Sequence, residues 1–325
     1  MAGASSSVKS SRPLGKATRD AFGRALEALG ESYGKLVVVD ADVGNSTRTE
    51  WFGLKYPDRF FNVGIAESNQ VGVAAGLAAA GHTALVSSFA AFIVCNAYDQ
   101  LRMSVAYPRL NVKVVGSHAG ISIGEDGASQ MGIEDVSLAC SLPGFVVMVP
   151  ADETSAKAAT AAMLAHEGPV YLRVGRPDVP KIYDADAPFT IGKANKLADG
   201  KDVTIVANGL MVAPALEAAE ALASQGISAR VLDMHTVKPI DRDALAAAAK
   251  DTGAIVVAEE HLAHGGLGSV VAMNVAEIHP VPIRYVNLHD SFGESGSPEA
   301  LIEAYGLTAA KVAEAAKAVV AAKKS

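Results

Sequence analysis

The chain has 325 residues, half of them hydrophobic, and a mean hydropathy of +0.23, which suffices for two domains of ordinary size with substantial cores. A net charge of −7 argues against general nucleic-acid binding, while leaving room for local basic sites that take small phosphates. The two cysteines, Cys95 and Cys140, each lie inside a largely apolar run, as in a reducing compartment, and no stretch reads as a membrane span, so a soluble, cytoplasmic protein is expected.

Residues 1–12 are rich in Ala, Ser and Lys, lack an apolar core of signal-peptide length, and read as a disordered arm. Residues 16–29 carry Ala17, Phe22, Ala25, Leu26 and Leu29 at helical spacing and end at Gly30. A buried strand over 35–39 opens into a polar loop over 40–47. An apolar run from Phe60 to Ile65 then meets an Ala/Val/Gly-rich segment reaching Gly81, long enough for a helix buried on most of its faces. One carboxylate, Glu67, sits at the junction. It can be a partner for the positive end of the helix dipole, or a carboxylate set where solvent is scarce, able to exchange a proton with a bound ligand. Further strands are expected over 84–88, 112–115, 145–149 and 170–174, with helices through 98–103 and over 152–166. A long glycine-rich loop over 116–131 follows the strand at 112–115. This alternation describes an α/β fold: a parallel sheet with helices on both faces.

Composition shifts over 177–199, where Pro177, Pro180 and Pro188 and the scarcity of long apolar runs indicate a linker with a small excursion. A second alternation follows, with strands at 203–207, 229–232, 254–258 and 283–286 and helices at 212–224, 241–250, 268–278, 298–305 and 308–322. The boundary is placed near residue 190, giving domains over 13–190 and 191–325.

In open parallel sheets, ligands bind in crevices beyond the carboxyl ends of strands. Four such ends carry suitable chemistry: Asp42, Asn45 and Ser46; Glu67; Phe89 and Phe92; and the loop from His118 to Gln130. Glycines crowded beside a His, two acids and a Gln let backbone approach a ligand. Two other motifs lead elsewhere. His261 and His264 have helical metal-ligand spacing but no third ligand beyond Glu259 and Glu260, so no metal site is assigned. Gly265-Gly-Leu-Gly268 lacks the full nucleotide fingerprint and reads as a tight turn.

The stretches Ala17-Thr-Arg-Asp-Ala-Phe-Gly23, Asp40-Ala-Asp-Val-Gly-Asn-Ser-Thr47, Ile65-Ala-Glu-Ser-Asn69, Ser88-Phe-Ala-Ala-Phe92, Asp99-Gln-Leu-Arg-Met103 and the run from Gly116 to Met131 resemble transketolase. They are similar to its thiamine diphosphate-binding pyrimidine domain. The remainder, including Val231-Leu-Asp-Met-His-Thr-Val-Lys-Pro-Ile-Asp241, resembles its carboxyl-terminal α/β domain. The resemblance implies that Glu67 hydrogen-bonds a ring nitrogen of the cofactor's aminopyrimidine, with Asp42, Phe89 and Phe92 also at the cofactor. It implies that Arg19, Ser46, His118 and Arg176 surround a sugar phosphate, that Asp126 meets a substrate hydroxyl, and that Gln130 lies near the reacting carbonyl. Glu67, His118 and Gln130 are thus the expected catalytic groups. Arg173 and Arg176 flank one strand end, and Arg176 is the expected phosphate contact. Asn96 stands near a place where some relatives carry arginine.

The implied reaction moves a two-carbon ketol unit from a ketose phosphate to an aldose phosphate, as in the pentose phosphate pathway. A full-length transketolase also grips the diphosphate through a Gly-Asp-Gly stretch and a distant Asn around a divalent ion. No such stretch occurs here, and Gly124-Glu-Asp-Gly127 belongs to the sugar-site loop. The expectation is therefore the carboxyl-terminal subunit of a split transketolase, in an α2β2 heterotetramer with an amino-terminal subunit that holds the diphosphate and most of the Mg2+ or Ca2+ coordination. A β subunit of a 2-oxo acid dehydrogenase E1 is the nearest alternative, opposed by the His118–Met131 loop and the Arg19/Ser46 pair. A 1-deoxyxylulose-phosphate synthase fragment is weaker. A non-catalytic partner-binding homologue is opposed by the joint presence of Glu67, His118 and Asp126.

Overall fold

The computed structural model describes residues 12–185 and 189–323. The arm expected over 1–12 therefore lies outside the described residues, except for Arg12, which pairs with Glu220 at 2.8 Å. Among the described residues, no helix is long and apolar enough to cross a membrane.

In chain order, the strands are β1 (Leu36–Asp40), β2 (Phe60–Asn62), β3 (Thr83–Phe89), β4 (Val112–Ser117), β5 (Val146–Met148), β6 (Val170–Arg173), β7 (Asn195–Ala198), β8 (Val203–Ala207), β9 (Ala229–Asp233), β10 (Thr236–Lys238), β11 (Ile255–Ala258) and β12 (Ile283–Val286). They form a seven-stranded sheet in the order β10-β5-β6-β4-β3-β1-β2 and a five-stranded sheet in the order β12-β11-β8-β9-β7. The central strands are buried along their whole length and run parallel, as expected for strands covered on both faces. Two strands depart from the all-parallel expectation. β7, inside the stretch read as a linker, runs antiparallel to β9. β10 leaves the second alternation and adds itself, antiparallel, to β5 of the larger sheet.

That crossing strand is one of several ties between the two sheets. His235 O accepts from Val149 N at 2.8 Å just before β10 begins. Ile121, Ile123, Met131 and Ile133, from the glycine-rich loop region, are buried in the same apolar cluster as the strands and helices of the smaller sheet. A polar knot sits beside them. Arg173, at the end of β6, donates from Nε to Asp135 Oδ2 (2.8 Å) and from Nη2 to the carbonyls of Gly132 (3.1 Å) and Glu260 (3.0 Å). Tyr171 donates its hydroxyl to the same Asp135 oxygen at 2.5 Å.

The helix Glu67–Ala79 shows how sequence sets the site. Rather than being buried on most faces, as its composition suggests, it buries a single stripe at helical spacing, Glu67, Gln70, Val71, Ala74, Ala75 and Ala78, and leaves Asn69, Gly72, Gly76 and Ala79 exposed; the first member of the stripe is an acid. Gln70, one turn on, donates to Val39 O (2.7 Å) and Ser87 O (3.0 Å), fixing the helix to β1 and β3. The single helix expected through 98–103 is instead a short α-helical turn, Tyr98–Gln100, between two wider π-helical turns, Ala91–Asn96 and Leu101–Ala106. Such turns re-aim side chains and are frequent at functional sites, and Phe92 lies on the first of them.

Burial alone would disfavour charge on Arg173, but Asp135 and Glu260 outweigh it and hold the guanidinium more firmly protonated than an ordinary arginine. Arg173→Met strands those acids without their counter-charge and is expected to cost about 3–5 kcal/mol of stability. Urea denaturation checks this; a loss below about 1 kcal/mol would show that the knot is not a tie between the sheets.

Candidate active site

Parallel pairing brings the carboxyl ends of β1, β3, β4 and β6 to one edge of the larger sheet, and the expected site residues follow those ends. Glu67 begins its helix there with 5 % exposure, and its Oε1 accepts from Ser88 Oγ of β3 at 3.1 Å. Among the described residues, Ser88 alone hydrogen-bonds this carboxylate. The next residue of β3 is Phe89. Its ring stacks on Phe92 (centroids 5.7 Å apart, planes 7° apart) and on His118 (3.9 Å, 12°), so three flat rings lie in a row.

His118 follows β4 in a left-handed backbone conformation (φ 54°) and is 3 % exposed. Its Nε2 lies 2.8 Å from Arg19 Nη1, and its Nδ1 lies 2.7 Å from Ser117 Oγ. A guanidinium only donates, so Nε2 accepts and Nδ1 carries the proton, donating to Ser117. Burial pushes the imidazole down to about 3, helped by the charges of Arg19, Arg176 and Arg48. His118 is therefore a neutral group with a fixed tautomer.

Around it stands a cluster of guanidinium groups. Arg19, on the helix Thr18–Leu29, also donates to Ser46 O at 3.0 Å. Burial and the nearby Arg48 lower its pKa from the ordinary arginine value. Its Nε is buried without a hydrogen-bond partner. Arg48 donates from Nε to Asp20 at 2.6 Å and from Nη1 to Asn45 O. Arg176 donates from Nη1 to Asp126 Oδ1 and to Ile123 O, both at 3.2 Å, and remains more than a third exposed. A cluster of guanidinium groups around a neutral imidazole suits an anionic oxygen ligand.

The structure separates the two strand-end arginines. Arg173 spends its fork on Asp135 and two carbonyls inside the protein, whereas Arg176 faces Asp126 in the loop. Ser46 meets Arg19 through its backbone carbonyl, not its hydroxyl. Gln130 is half-buried on the turn Ala128–Gln130 and accepts from Ser129 Oγ at 2.5 Å. Asp42 is exposed at φ 64° and accepts from Asn62 Nδ2 at 2.9 Å, on the β1–β2 side of the edge. Asn96 accepts from Ser68 Oγ through its carbonyl at 3.4 Å.

Sequence reasoning passed over Ser88, Ser117 and Arg48 as individual contributors. The first two flank named residues within quoted motifs, and Arg48 lies two positions beyond Ser46. The motif at His261 proves to be a junction. Its Nδ1 donates to Leu262 O (2.9 Å), its Nε2 accepts from Ser137 N (3.3 Å), and Glu259 caps the next helix by accepting from Leu267 N and Gly268 N, each at 2.7 Å.

Residues 15–181 match the transketolase pyrimidine-binding domain, and residues 192–312 match the transketolase C-terminal domain. The chain belongs to the transketolase family. It is 45% identical over 301 residues to the 6-deoxy-6-sulfo-D-fructose transketolase subunit SqwH of Clostridium sp. (strain MSTE9), a match covering 93% of this chain and 94% of that protein. It is 42% identical to the putative transketolase C-terminal section of Methanocaldococcus jannaschii, covering 92% and 95%. Human transketolase is 36% identical, and there the match covers 94% of this chain but 49% of the human protein. Among solved structures, one described as a split gene transketolase, inactive beta4 tetramer, superposes with a TM-score of 0.87 at 46% identity, covering 95% of this chain and 99% of that one.

The neutrality of His118 carries a pH signature. Its folded pKa of about 3 lies below the ordinary 6.5, so between those values the unfolded chain binds more protons. Stability is accordingly lost as pH falls from about 6.5 toward about 3, at up to about 1.4 kcal/mol per pH unit for this one group. His118→Asn is expected to flatten the decline by that amount in denaturation curves at stepped pH. An unchanged slope would mean that the ring is already protonated in the fold.

Proposed function

We propose that the chain is the carboxyl-terminal subunit of a thiamine diphosphate-dependent transketolase that moves a two-carbon ketol unit from a ketose phosphate to an aldose phosphate. The observation that carries this reading is the placement of a buried acid, Glu67, at the same sheet edge as the Arg19–His118–Arg176 cluster. One end offers a buried carboxylate held by a hydroxyl; the other offers clustered cations suited to an anion.

The residues present fit half of the cofactor. Glu67, with one oxygen held by Ser88, suits a hydrogen bond to a ring nitrogen of an aminopyrimidine, and Phe89 and Phe92 supply a flat apolar wall beside it. Asp42 is assigned to the rim of the same site. When bound, thiamine diphosphate supplies an acidic thiazolium carbon and an electron sink for two-carbon transfer. The chain's own residues do the rest. Glu67 exchanges a proton at its carboxylate, which is buried and held by the Ser88 hydroxyl. Arg19 and Arg176 take the substrate phosphate, while His118 stays neutral and oriented by Ser117. Asp126 and Gln130 contribute hydrogen bonds to sugar oxygens. The diphosphate and its Mg2+ or Ca2+ are assigned to an amino-terminal subunit in an α2β2 assembly, since the sequence carries no Gly-Asp-Gly stretch. The names of the two relatives of similar length, a transketolase subunit and a C-terminal section, support a divided enzyme.

Other relatives are named for 6-deoxy-6-sulfo-D-fructose and for apulose 4-phosphate, so the choice of sugar is open to several chemistries. Substrate choice is therefore tested directly. Mixed with its partner subunit and thiamine diphosphate, the chain is expected to turn over a pentulose phosphate with an aldose phosphate acceptor, and to be inactive alone. Glu67→Ala is expected to lower kcat by about 100-fold or more, the scale of a lost acid–base group. Pyruvate turnover in place of ketose phosphate turnover, or full activity of Glu67→Ala, would remove the reading.

A further inference from the structure

We propose that Glu260, which belongs to the smaller sheet's half of the chain, is a positioning residue for the substrate loop, holding the backbone that carries His118, Asp126 and Gln130 in its binding geometry. This rests on the reading of that loop as the sugar-phosphate site. Glu260 immediately follows the β11 strand and its neighbour Glu259, touches none of the groups assigned to substrate, and is 5 % exposed. Its Oε1 accepts from Ser122 N at 2.7 Å, four residues after His118 and four before Asp126. Its Oε2 lies 3.9 Å from Arg173 Nη1, and its carbonyl accepts from Arg173 Nη2 at 3.0 Å.

The loop is shaped around this carboxylate. Gly120 adopts φ 81°, and a Cβ there would collide with the Glu260 carboxyl group. The base of the loop is closed by Gly120 N donating to Gly132 O (2.8 Å), and its far side is held by Leu262 N donating to Ile133 O (3.0 Å). Between these two backbone bonds, Ser122 N–Glu260 is the charge-assisted contact in the middle of the span, the stronger class of hydrogen bond. Arg173 faces the carboxylate from behind and bonds the Glu260 carbonyl, and Asp135 anchors Arg173. A chain of contacts thus runs from the smaller sheet to the loop without entering the site.

The test uses the full chain with its partner subunit. Loss of one buried hydrogen bond to a charged group is expected to speed amide exchange over 118–131 by about 10-fold in Glu260→Ala, with exchange in the β strands unchanged. The same variant should raise KM for the sugar phosphates by about 10-fold while kcat stays within about 3-fold, since the lost contact orders binding groups. Glu260→Gln, which keeps an acceptor at Oε1, should restore most of both. Gly120→Ala, which displaces the carboxylate from the loop side, should reproduce Glu260→Ala and carries the test if the latter does not fold. Unchanged loop exchange, exchange raised equally across both sheets, or a loss confined to kcat would overturn the positioning role. A wild-type mixture with no ketose phosphate turnover would overturn the reading of the site itself, a failure separate from any behaviour of the variants.

Discussion

Parallel pairing of β1, β3, β4 and β6 is the constraint from which the site follows. Strands that run the same way all discharge their loops at one edge, so residues as distant in sequence as Arg19, Ser46, Glu67, Phe89, His118 and Arg176 become neighbours without any segment having to reach far. The geometry at that edge is then refined locally. The buried stripe of the Glu67–Ala79 helix forces its first residue inward, and Ser88 receives the carboxylate. An apolar helix with an acid at its first buried position is an expensive arrangement unless the acid has a partner, which is why Ser88 stands where it does.

Electrostatically, the edge is divided. At Glu67 a single negative group meets the Ser88 hydroxyl. At His118 the groups of Arg19, Arg48 and Arg176 crowd an imidazole that remains uncharged because ionising it would add a fourth cation to a dry space. Asp20 and Asp126 offset part of that charge through Arg48 and Arg176. β3 joins the two regions, since Ser88 holds Glu67 and the next residue, Phe89, stacks on Phe92 and His118.

The alternation of strands and helices was legible because buried parallel strands are short apolar runs and the helices carry clear periodicity; the expected 112–115 strand, for example, is the core of β4. Glu67 was legible as unusual, since a charge at the head of an apolar stripe breaks the binary pattern. What the sequence concealed were pairings across long separations. Arg173 and Arg176 look alike from spacing, and only Asp135, 38 residues earlier, makes one of them internal. Glu260 sat in view beside a pair of histidines, yet its partner Ser122 is 138 residues away. β7 and β10 are short and polar (Asn195-Lys-Leu-Ala198 and Thr236-Val-Lys238), without the apolar run that declares a buried strand, and their pairing depends on where the rest of the chain has already gone. The π-helical turns around Tyr98 were hidden for a related reason: periodicity marks helicity but not its pitch.

β10 also bears on the autonomy of the two halves. A fragment ending near residue 190 would lack the ribbon that lies along β5, leaving that strand's amides and carbonyls as an open border able to recruit foreign strands. The carboxyl-terminal half expressed by itself would hold out Thr236–Lys238 with nothing to lie against. Each portion is therefore the other's protection against clumping, and inheritance as an undivided unit is the arrangement that this stitching favours.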